Sequence, residues 1–484
     1  MSIRRHTAYN LLGSAIPLAV SFVTTPIYLG LIGEARYGVL AIAWLLLRYF
    51  GLFDLGLGRA TSQRIASLRD GAAAERAQTF WTALALNVGL GVVGGLLIWP
   101  AAIYFFGHVF KVADALRPEM RAAVPWLVLA VPVATLSGVL SGALQGREKF
   151  LELNLVSMSG TVLFQLLPLA AATVWGADLG VVLPAVLLAR LVTLLMLFER
   201  CRRHVFRGHP AAFARGQAGQ LLRFGGWVTV SAFVSPLMVT LDRFVIGAMS
   251  GAKAVTFYTV PFQIAERSTL ISGALSSALF PRFVAATPQE EQHLADEGLR
   301  ALVVVMTPLM AAGILLMEPF LSWWITPAFA GHSARVGQLL LVGFWVNSFA
   351  VIPYAQLQAR GRPDLVAKCH LGEVLPYFGL LYLGLTTLGM MGAAVAFSLR
   401  VLVDFALLTG LVGTLRLGLR ILLAPALLLG VAFLIATQSS PGQPVWFMLV
   451  VVDLLITLVW SWRQAPDTLR RVVLARLGRL LPRF

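Results

Sequence analysis

The sequence predicts an all-α, polytopic membrane protein, and three observations support that fold class. Of the 484 residues, 58% are hydrophobic and 12% are charged, whereas a soluble protein has roughly 25% charged residues. Apolar runs of about 20 residues, each able to cross ~30 Å of hydrocarbon as a helix, recur along the whole chain. A β-barrel needs alternating segments of ~10 residues, which these uniform runs do not provide.

A window of membrane-span length places about fourteen helices along the chain. The first follows Arg4 and Arg5 like a signal peptide, but its apolar stretch continues to about Leu31 without a small-residue cleavage site, so we expect a retained span. The predicted spans are 8–32, 38–60, 79–106, 122–145, 152–175, 179–199, 221–248, 254–280, 300–325, 336–358, 366–386, 392–413, 419–437 and 445–462.

The formal charge of +16 would suggest nucleic-acid binding in a polar chain. With the N-terminus inside, roughly 27 of the 38 Lys and Arg residues fall on cytoplasmic segments, about 6 outside and about 5 within spans. This bias predicts cytoplasmic N- and C-termini. We expect the basic segments to contact anionic membrane lipids, and no nucleic-acid partner.

The basic segment 200–220 separates two halves that show a weak likeness. Gly33 and Gly38 after span one correspond to Gly251 and Thr256 after span seven, at an offset of about 218 residues. Both halves start on the same side, which predicts parallel repeats. The predicted organisation is a six-helix bundle over 1–199, a cytoplasmic linker over 200–220, a second six-helix bundle over 221–413, an extra helix pair over 414–462 and a basic cytoplasmic tail over 463–484.

One literal nucleotide-binding motif, the Gly-x-Gly-x-x-Gly of Gly89 to Gly94, lies in the middle of span three with no preceding strand. Its Gly91 and Gly95 have the small-xxx-small spacing that lets membrane helices approach closely, so we interpret the motif as a packing surface. No metal-ligand cluster or nucleophile triad is evident, and no histidine falls in the middle of a span. The sequence therefore predicts no enzyme, no metal site and no cofactor.

Ionisable residues inside spans carry the functional prediction, because a centred charge costs about 2.5–3.5 kcal/mol to insert. Such side chains should face an aqueous cavity, an acid or an anionic ligand. Arg48 and Arg190 have no acid three or four residues away, which makes Arg48 the best candidate for binding an anion, although bonding to carbonyls of neighbouring helices is also open. The five candidate arginines are Arg48, Arg190, Arg243, Arg267 and Arg400.

Acids accompany these arginines in the predicted spans. Arg400 and Asp404 are four residues apart and can meet on one helix face, whereas the adjacent Asp242 and Arg243 should pair only across helices. An isolated buried acid such as Glu373 fits either ion coupling or a protonated helix contact. The candidates for coupling to a proton or sodium ion are Asp54, Glu373 and Asp404.

Prolines interrupt several spans, and broken helices often surround transport sites. Pro26 in span one, Pro236 in span seven and Pro261 in span eight are candidate helix breaks and gates. A simple bend without a site is the alternative for each.

Motifs along nearly the whole chain resemble those of the multidrug/oligosaccharidyl-lipid/polysaccharide (MOP) exporter superfamily, specifically its polysaccharide flippase branch. The residues that carry this resemblance are Asn10 to Gly13, Thr25-Pro26, Gly33, Tyr37-Gly38, Phe53 to Arg59, Phe257 to Pro261, Leu279 to Arg282, Glu373, Gly392 to Ala396 and Leu399-Arg400.

The resemblance implies a V-shaped pair of six-helix bundles in a bacterial inner membrane. By alternating access they would move a polyprenyl-diphosphate-linked oligosaccharide from the cytoplasmic to the periplasmic leaflet for surface polysaccharide synthesis, in contact with polysaccharide assembly proteins. The diphosphate would need arginines in a wet cavity. The acids of the second half leave open how far Arg267 and Arg400 are free to bind it.

Two other functions stay open at this point. A cation-coupled multidrug or small-molecule antiporter of the same fold should favour an acid-dominated cavity. A membrane-embedded glycan polymerase or ligase usually needs a sizeable outer loop, whereas the predicted outer loops here have only about 3–15 residues.

Overall fold

The computed structural model describes residues 3–50, 54–68, 73–467 and 469–471. Within these ranges it describes every side chain except those of residues 3–15, 17, 48, 49 and 222–239. This part of the chain is helical almost throughout and contains no β-strand, which confirms the predicted all-α fold class. Eleven of its helices are long and apolar enough to cross a membrane. The count of fourteen spans stays a prediction.

The chain folds into two compact units that divide between Thr256 and Phe257. The boundaries predicted from the basic linker at 200–220 stay predictions. Helices of the first unit are α1 Ile3–Tyr49, α2 Leu57–Ser67, α3 Ala73–Tyr104, α4 Arg117–Gly146, α5 Phe150–Trp175, α6 Leu179–His204 and α7 Arg215–Ser250. Those that follow are α8 Ala252–Glu266, α9 Thr269–Ala285, α10 Pro288–Trp324, α11 Pro327–Ala359, α12 Pro363–Leu388, α13 Met390–Val412, α14 Leu415–Gln438 and α15 Pro444–Gln464.

Helix α1 contains predicted span one and most of span two. Its 47 residues would extend about 70 Å if straight, more than twice the ~30 Å hydrocarbon thickness. A single non-helical residue, Gly33, with φ 77° and ψ 163°, divides it into a longer first piece and a shorter second piece over 34–49. The turn between spans one and two therefore consists of one glycine.

Spans two and eight are each interrupted. In span two, α1 ends at Tyr49 and α2 begins at Leu57, and the described residues 54–56 before α2 are not α-helical. In span eight, the break lies at Arg267 and Ser268, between α8 and α9. The two breaks fall at corresponding places in the two predicted repeats.

Glycines let the helices of the first unit pack closely. A Cβ on Gly142 of α4 would overlap the Gly58 carbonyl of α2, and a Cβ on Gly91 of α3 would lie 2.7 Å from Pro132 Cα. Gly91 belongs to the Gly-x-Gly-x-x-Gly motif, so the structure confirms that this motif packs helices. In the second unit, α11 is the central helix and packs against α9, α10 and α13.

Candidate functional site

Arg190 of α6 is a half-buried arginine that forms no ion pair with any acid among the described side chains. Its guanidinium carbon lies 4.5 Å from the centroid of the Phe164 ring on α5, in cation–π geometry. Its Nε has no hydrogen-bond partner, and no salt bridge to it is found among the side chains that the structure describes. Within the described part of the chain, the site therefore holds a positive charge without a paired acid in a membrane-spanning segment.

An aromatic wall extends from Phe164 to α1. The ring of Trp44 lies 5.9 Å from that of Phe164 and contacts Tyr28 edge-on at 5.6 Å and Tyr37 at 5.9 Å. Tyr28 donates a hydrogen bond of 2.6 Å to the carbonyl of Gln165, which ties α1 to α5. Arg190 thus lies beside rigid, well-packed rings, whose faces favour a cation.

Arg48, the strongest anion-binding candidate from sequence, is in the last turn of α1, one turn beyond Trp44. Its side chain lies outside the described residues. The side chain of Pro236 on α7 also lies outside the described residues.

Arg243 of α7 is buried, and so is Asp242 beside it. Arg243 Nη1 lies 3.6 Å from Asp242 Oδ1, and the backbone N–H of Arg243 donates to the same oxygen at 2.7 Å. The expectation that these adjacent residues pair only across helices is therefore wrong, because the long arginine side chain folds back over its neighbour. The arginine is partly neutralised within its own helix.

Arg267 lies in the break between α8 and α9, where the structure leaves it exposed. No salt bridge to Arg267 is found among the described side chains, although Glu266 precedes it. Arg267 is not brought together with Arg400.

Four ionisable side chains meet between α12 and α13. Arg400 Nε lies 3.2 Å from Glu373 Oε2, and His370 Nε2 lies 3.3 Å from Asp404 Oδ1. Glu373 and Asp404 are each 5% exposed, and Arg400 is 9% exposed. With a neutral histidine, this buried cluster carries one net negative charge.

The pairing within this cluster differs from the expectation. Arg400 and Asp404 share a helix face, as predicted, but each makes its close contact with α12 instead of with the other. His370 was missed by the sequence reasoning, since it lies near the start of its span. The signal that could have found it is the three-residue spacing from His370 to Glu373, which puts both on one face of α12.

The cluster borders a cavity of about 460 Å³ in the second unit. Glu373, Arg400 and Tyr377 line it together with aliphatic residues such as Leu380 and Val403. Glu373 Oε1 makes no hydrogen bond. The acid therefore keeps an oxygen available to a proton or cation.

Asp54 occupies the start of α2. Its Oδ1 accepts a 2.7 Å hydrogen bond from the Gly56 N–H and its Oδ2 a 3.3 Å bond from the Gly58 N–H. Both donors are otherwise unsatisfied helix N-terminal groups, which a carboxylate stabilises. Leu55 (φ 46°) and Gly56 (φ 70°) turn the backbone into this cap. The residues from Asp54 to Gly58 thus form a local cap at the start of α2.

Neither Pro26 nor Pro261 ends a helix. Helix α1 continues through Pro26 and α8 through Pro261, and the breaks in these regions lie at Gly33 and Arg267. This differs from the expected helix breaks, because a proline inside a helix removes one hydrogen bond without requiring the helix to stop. Their role in gating stays a prediction.

Solved structures share this fold. An inward-facing multidrug resistance MATE family transporter of the MOP superfamily superposes with a TM-score of 0.69 at 16% identity, over 84% of this chain and 98% of that one. The lipid II flippase MurJ, in an inward closed conformation, gives 0.71 at 13% identity, over 94% of this chain and 98% of that one. The chain therefore shares the fold of these two membrane proteins.

Sequence comparisons add the family. A protein of Shigella flexneri named "Putative O-antigen transporter" is 29% identical over 411 residues, which are 84% of this chain and 97% of that protein. The profile of the family described as polysaccharide biosynthesis protein matches residues 3–286, more than half of the chain. The chain belongs to the polysaccharide biosynthesis protein family, on the branch of the MOP superfamily that its motifs predicted.

Proposed function

We propose that this protein is a flippase that moves a polyprenyl-diphosphate-linked oligosaccharide from the cytoplasmic to the periplasmic leaflet by alternating access. The family, the Shigella flexneri relative named as an O-antigen transporter and the MurJ-like fold support this class of function. The names of the Shigella flexneri relative and of MurJ describe transport, in agreement with the prediction that the chain is not an enzyme. The proposed location is a bacterial inner membrane, with both termini cytoplasmic.

The observation that carries the proposal is the unneutralised Arg190. A charge at membrane depth costs about 2.5–3.5 kcal/mol unless water, an acid or an anionic ligand relieves it. The Phe164 ring covers one face of the guanidinium, which holds its plane and leaves its edge donors for a ligand. A planar fork of this kind binds phosphate oxygens in pairs, and a diphosphate supplies several such oxygens.

The corresponding arginines of the two predicted repeats have different neighbours. Arg190 lies near the end of the first half and Arg400 near the end of the second, each in the last helix of its predicted bundle. Among the described side chains, Arg190 has an aromatic neighbour and no paired acid, whereas Arg400 is paired with Glu373. We propose that Arg190 binds the diphosphate and that the cluster around Arg400 serves energy coupling.

The test of substrate binding is reconstitution of the purified protein in liposomes with a defined polyprenyl-diphosphate oligosaccharide, followed by measurement of leaflet exposure. We expect Arg190→Gln to lower the flipping rate at least tenfold, since a lost charged hydrogen bond costs about 1.5–3 kcal/mol. Arg190→Lys keeps the charge without the planar fork, so its flipping rate should lie between those of wild type and Arg190→Gln.

Arg203 provides a matched control on the same helix. It is exposed and pairs with Glu199 at 2.7 Å, so Arg203→Gln should flip lipid at the wild-type rate. Unchanged flipping by a well-folded Arg190→Gln protein would remove the diphosphate assignment.

The coupling role rests on the acids of the α12–α13 cluster. We expect Asp404→Asn and Glu373→Gln to abolish the acceleration of flipping by a proton or sodium gradient while some gradient-independent exchange persists. Equal acceleration in wild type and variants would refute the coupling site, and comparison of the two gradients identifies the ion.

The acid-dominated cluster also favours a second candidate, a cation-coupled small-molecule antiporter of the same fold. The same liposomes loaded with a soluble cationic drug distinguish the two. Robust drug transport without flipping of several lipid-linked glycans would replace the flippase proposal by the antiporter.

A further inference from the structure

A cavity of about 370 Å³ lies between α10, α14 and α15, away from the ionisable groups described above. Arg300 in the fourth turn of α10 and Arg420 in the second turn of α14 line it. Trp460 and Gln464, in the last turn of α15, complete its polar rim. These two arginines lie toward the starts of α10 and α14, and α15 ends here, so the cavity lies at one end of the three-helix group.

The cavity combines this rim with an aliphatic wall that includes Val304 and Ile421. An indole such as that of Trp460 is typical of the membrane–water interface, where one side of the ring is apolar and the other is wet. The predicted orientation puts this end of the helices on the cytoplasmic side. The cavity therefore has the polarity of a phospholipid at the level of its headgroup.

The two arginines are available to a ligand. No salt bridge to Arg300 or Arg420 is found in the described part of the chain. Asp296, one turn before Arg300 on α10, interacts with it electrostatically but does not line the cavity. The rim therefore presents two positive charges to the cavity, and both are on side chains that bind phosphate oxygens in pairs.

We propose that this pocket binds the phosphate headgroup of an anionic phospholipid of the cytoplasmic leaflet. Basic pockets between membrane helices on the cytoplasmic side are suited to such headgroups. The aliphatic wall would contact the first carbons of the acyl chains, which a free phosphate lacks. The extra helix pair supplies Arg420, Trp460 and Gln464, and the lipid would join this pair to α10.

The experiment uses the full-length protein purified in mild detergent and exposed to equal amounts of phosphatidylglycerol and phosphatidylcholine. Native mass spectrometry counts the lipids retained, and thermal melting is followed during titration of each lipid. We expect wild type to retain phosphatidylglycerol preferentially and to melt at a higher temperature as it is added. Arg300→Gln/Arg420→Gln should bind it about tenfold more weakly or worse.

Arg416 offers a matched control, because it lies one turn before Arg420 on α14 and does not line the pocket. Arg416→Gln should retain phosphatidylglycerol like wild type. Arg300→Lys/Arg420→Lys keeps both charges, so it should fold normally and bind phosphatidylglycerol with intermediate affinity. This variant distinguishes a loss of binding from a loss of folding.

Three results would overturn the proposal. The first is equal phosphatidylglycerol retention by wild type and the folded double Gln variant, and the second is an equal loss in Arg416→Gln. The third is displacement of the lipid by a competitor that binds more tightly and depends on the same arginines. Displacement by millimolar inorganic phosphate would make the pocket a free-phosphate site, and displacement by a polyprenyl diphosphate would make it a substrate site. None of these results depends on whether Arg190 serves flipping.

Discussion

Gly33 and Gly251, 218 residues apart, adopt the same rare backbone conformation. Gly33 has φ 77° and ψ 163°, and Gly251 has φ 88° and ψ 175°. This region of φ/ψ space is essentially restricted to glycine. Each glycine separates two consecutive helical segments, so the same one-residue turn occurs once in each predicted half of the chain.

The neighbours of these glycines contact one another through a reciprocal pair of interactions. Thr256 Oγ1 donates a 2.6 Å hydrogen bond to the Glu34 carbonyl, and a Cβ on Gly38 would overlap the Ala252 carbonyl. Gly38 and Thr256 are 218 residues apart, as are Glu34 and Ala252. Exchange of the two predicted halves therefore converts one contact into the other, and the arrangement of the halves as parallel repeats stays a prediction.

The first prediction concerns these two turns. Gly33→Ala and Gly251→Ala should each destabilise the protein by about 1–3 kcal/mol, because alanine is strained in this conformation. Thermal melting of the purified protein in detergent measures the effect. Gly30→Ala is the control, since Gly30 is helical with no atom within 4 Å of a Cβ; it should be neutral or stabilising by up to ~1 kcal/mol. A loss of stability as large in Gly30→Ala would contradict the assignment.

The second prediction concerns Asp54. A role as a helix cap and a role in ion coupling predict different effects when this residue is substituted. Asp54→Ala should destabilise by about 0.5–2 kcal/mol, because the Gly56 and Gly58 N–H groups lose their acceptor. Asp54→Asn retains a carbonyl oxygen for the shorter of the two bonds and should preserve most stability and the gradient dependence of flipping. If the charge serves coupling, the asparagine variant will be stable but insensitive to the gradient.

The third prediction concerns the buried pair Glu373 and Arg400. Glu373→Gln removes the carboxylate that contacts Arg400, so the buried arginine loses its close acceptor, which should cost about 3–5 kcal/mol. The double variant Glu373→Gln/Arg400→Gln removes both charges, so we expect it to be more stable than Glu373→Gln alone. A double-mutant cycle of melting free energies measures the coupling between the two positions, and strictly additive effects would show that the 3.2 Å contact carries no net interaction.

The fourth prediction concerns Arg36 and Glu119, which connect α1 to α4. Arg36 Nε and Nη2 donate to the two Glu119 carboxylate oxygens at 2.8 and 2.6 Å. Glu119 also accepts from the backbone N–H of Leu179 at the start of α6. Arg36→Gln should therefore lower the free energy of unfolding by about 1.5–3 kcal/mol, as measured by thermal melting.

An exposed pair near the same end of α4 serves as the comparison. Arg117 and Asp114 lie 3.1 Å apart with side chains 57% and 91% exposed, where solvent screens the attraction. Arg117→Gln should change stability by less than ~0.5 kcal/mol. Equal effects of the two substitutions would mean that the bidentate geometry of Arg36 adds nothing.

Much of the fold was predictable from the sequence, because the properties that define it are local. Span length and apolar composition require membrane helices, and the spacing of Gly91 and Gly95 indicated a packing surface that the structure confirms. The predicted spans 8–32 and 38–60 left Gly33 between them, where the structure has its turn, but the interruption of span eight was expected at Pro261 and lies at Arg267. Proline has an obvious local signature, whereas a break at an ordinary residue depends on what the neighbouring helices can support.

The candidate site was predictable only as a set of buried charges. Sequence alone singled out Arg190, Arg400, Glu373 and Asp404, since a charge within an apolar run is costly wherever the helices pack. Only the tertiary structure decided that Arg400 contacts Glu373, that Asp404 contacts His370 and that Arg190 rests on Phe164 without an acid. Those partners lie on other helices, and their identity depends on the rotation and depth of each helix, which periodicity within one span does not determine.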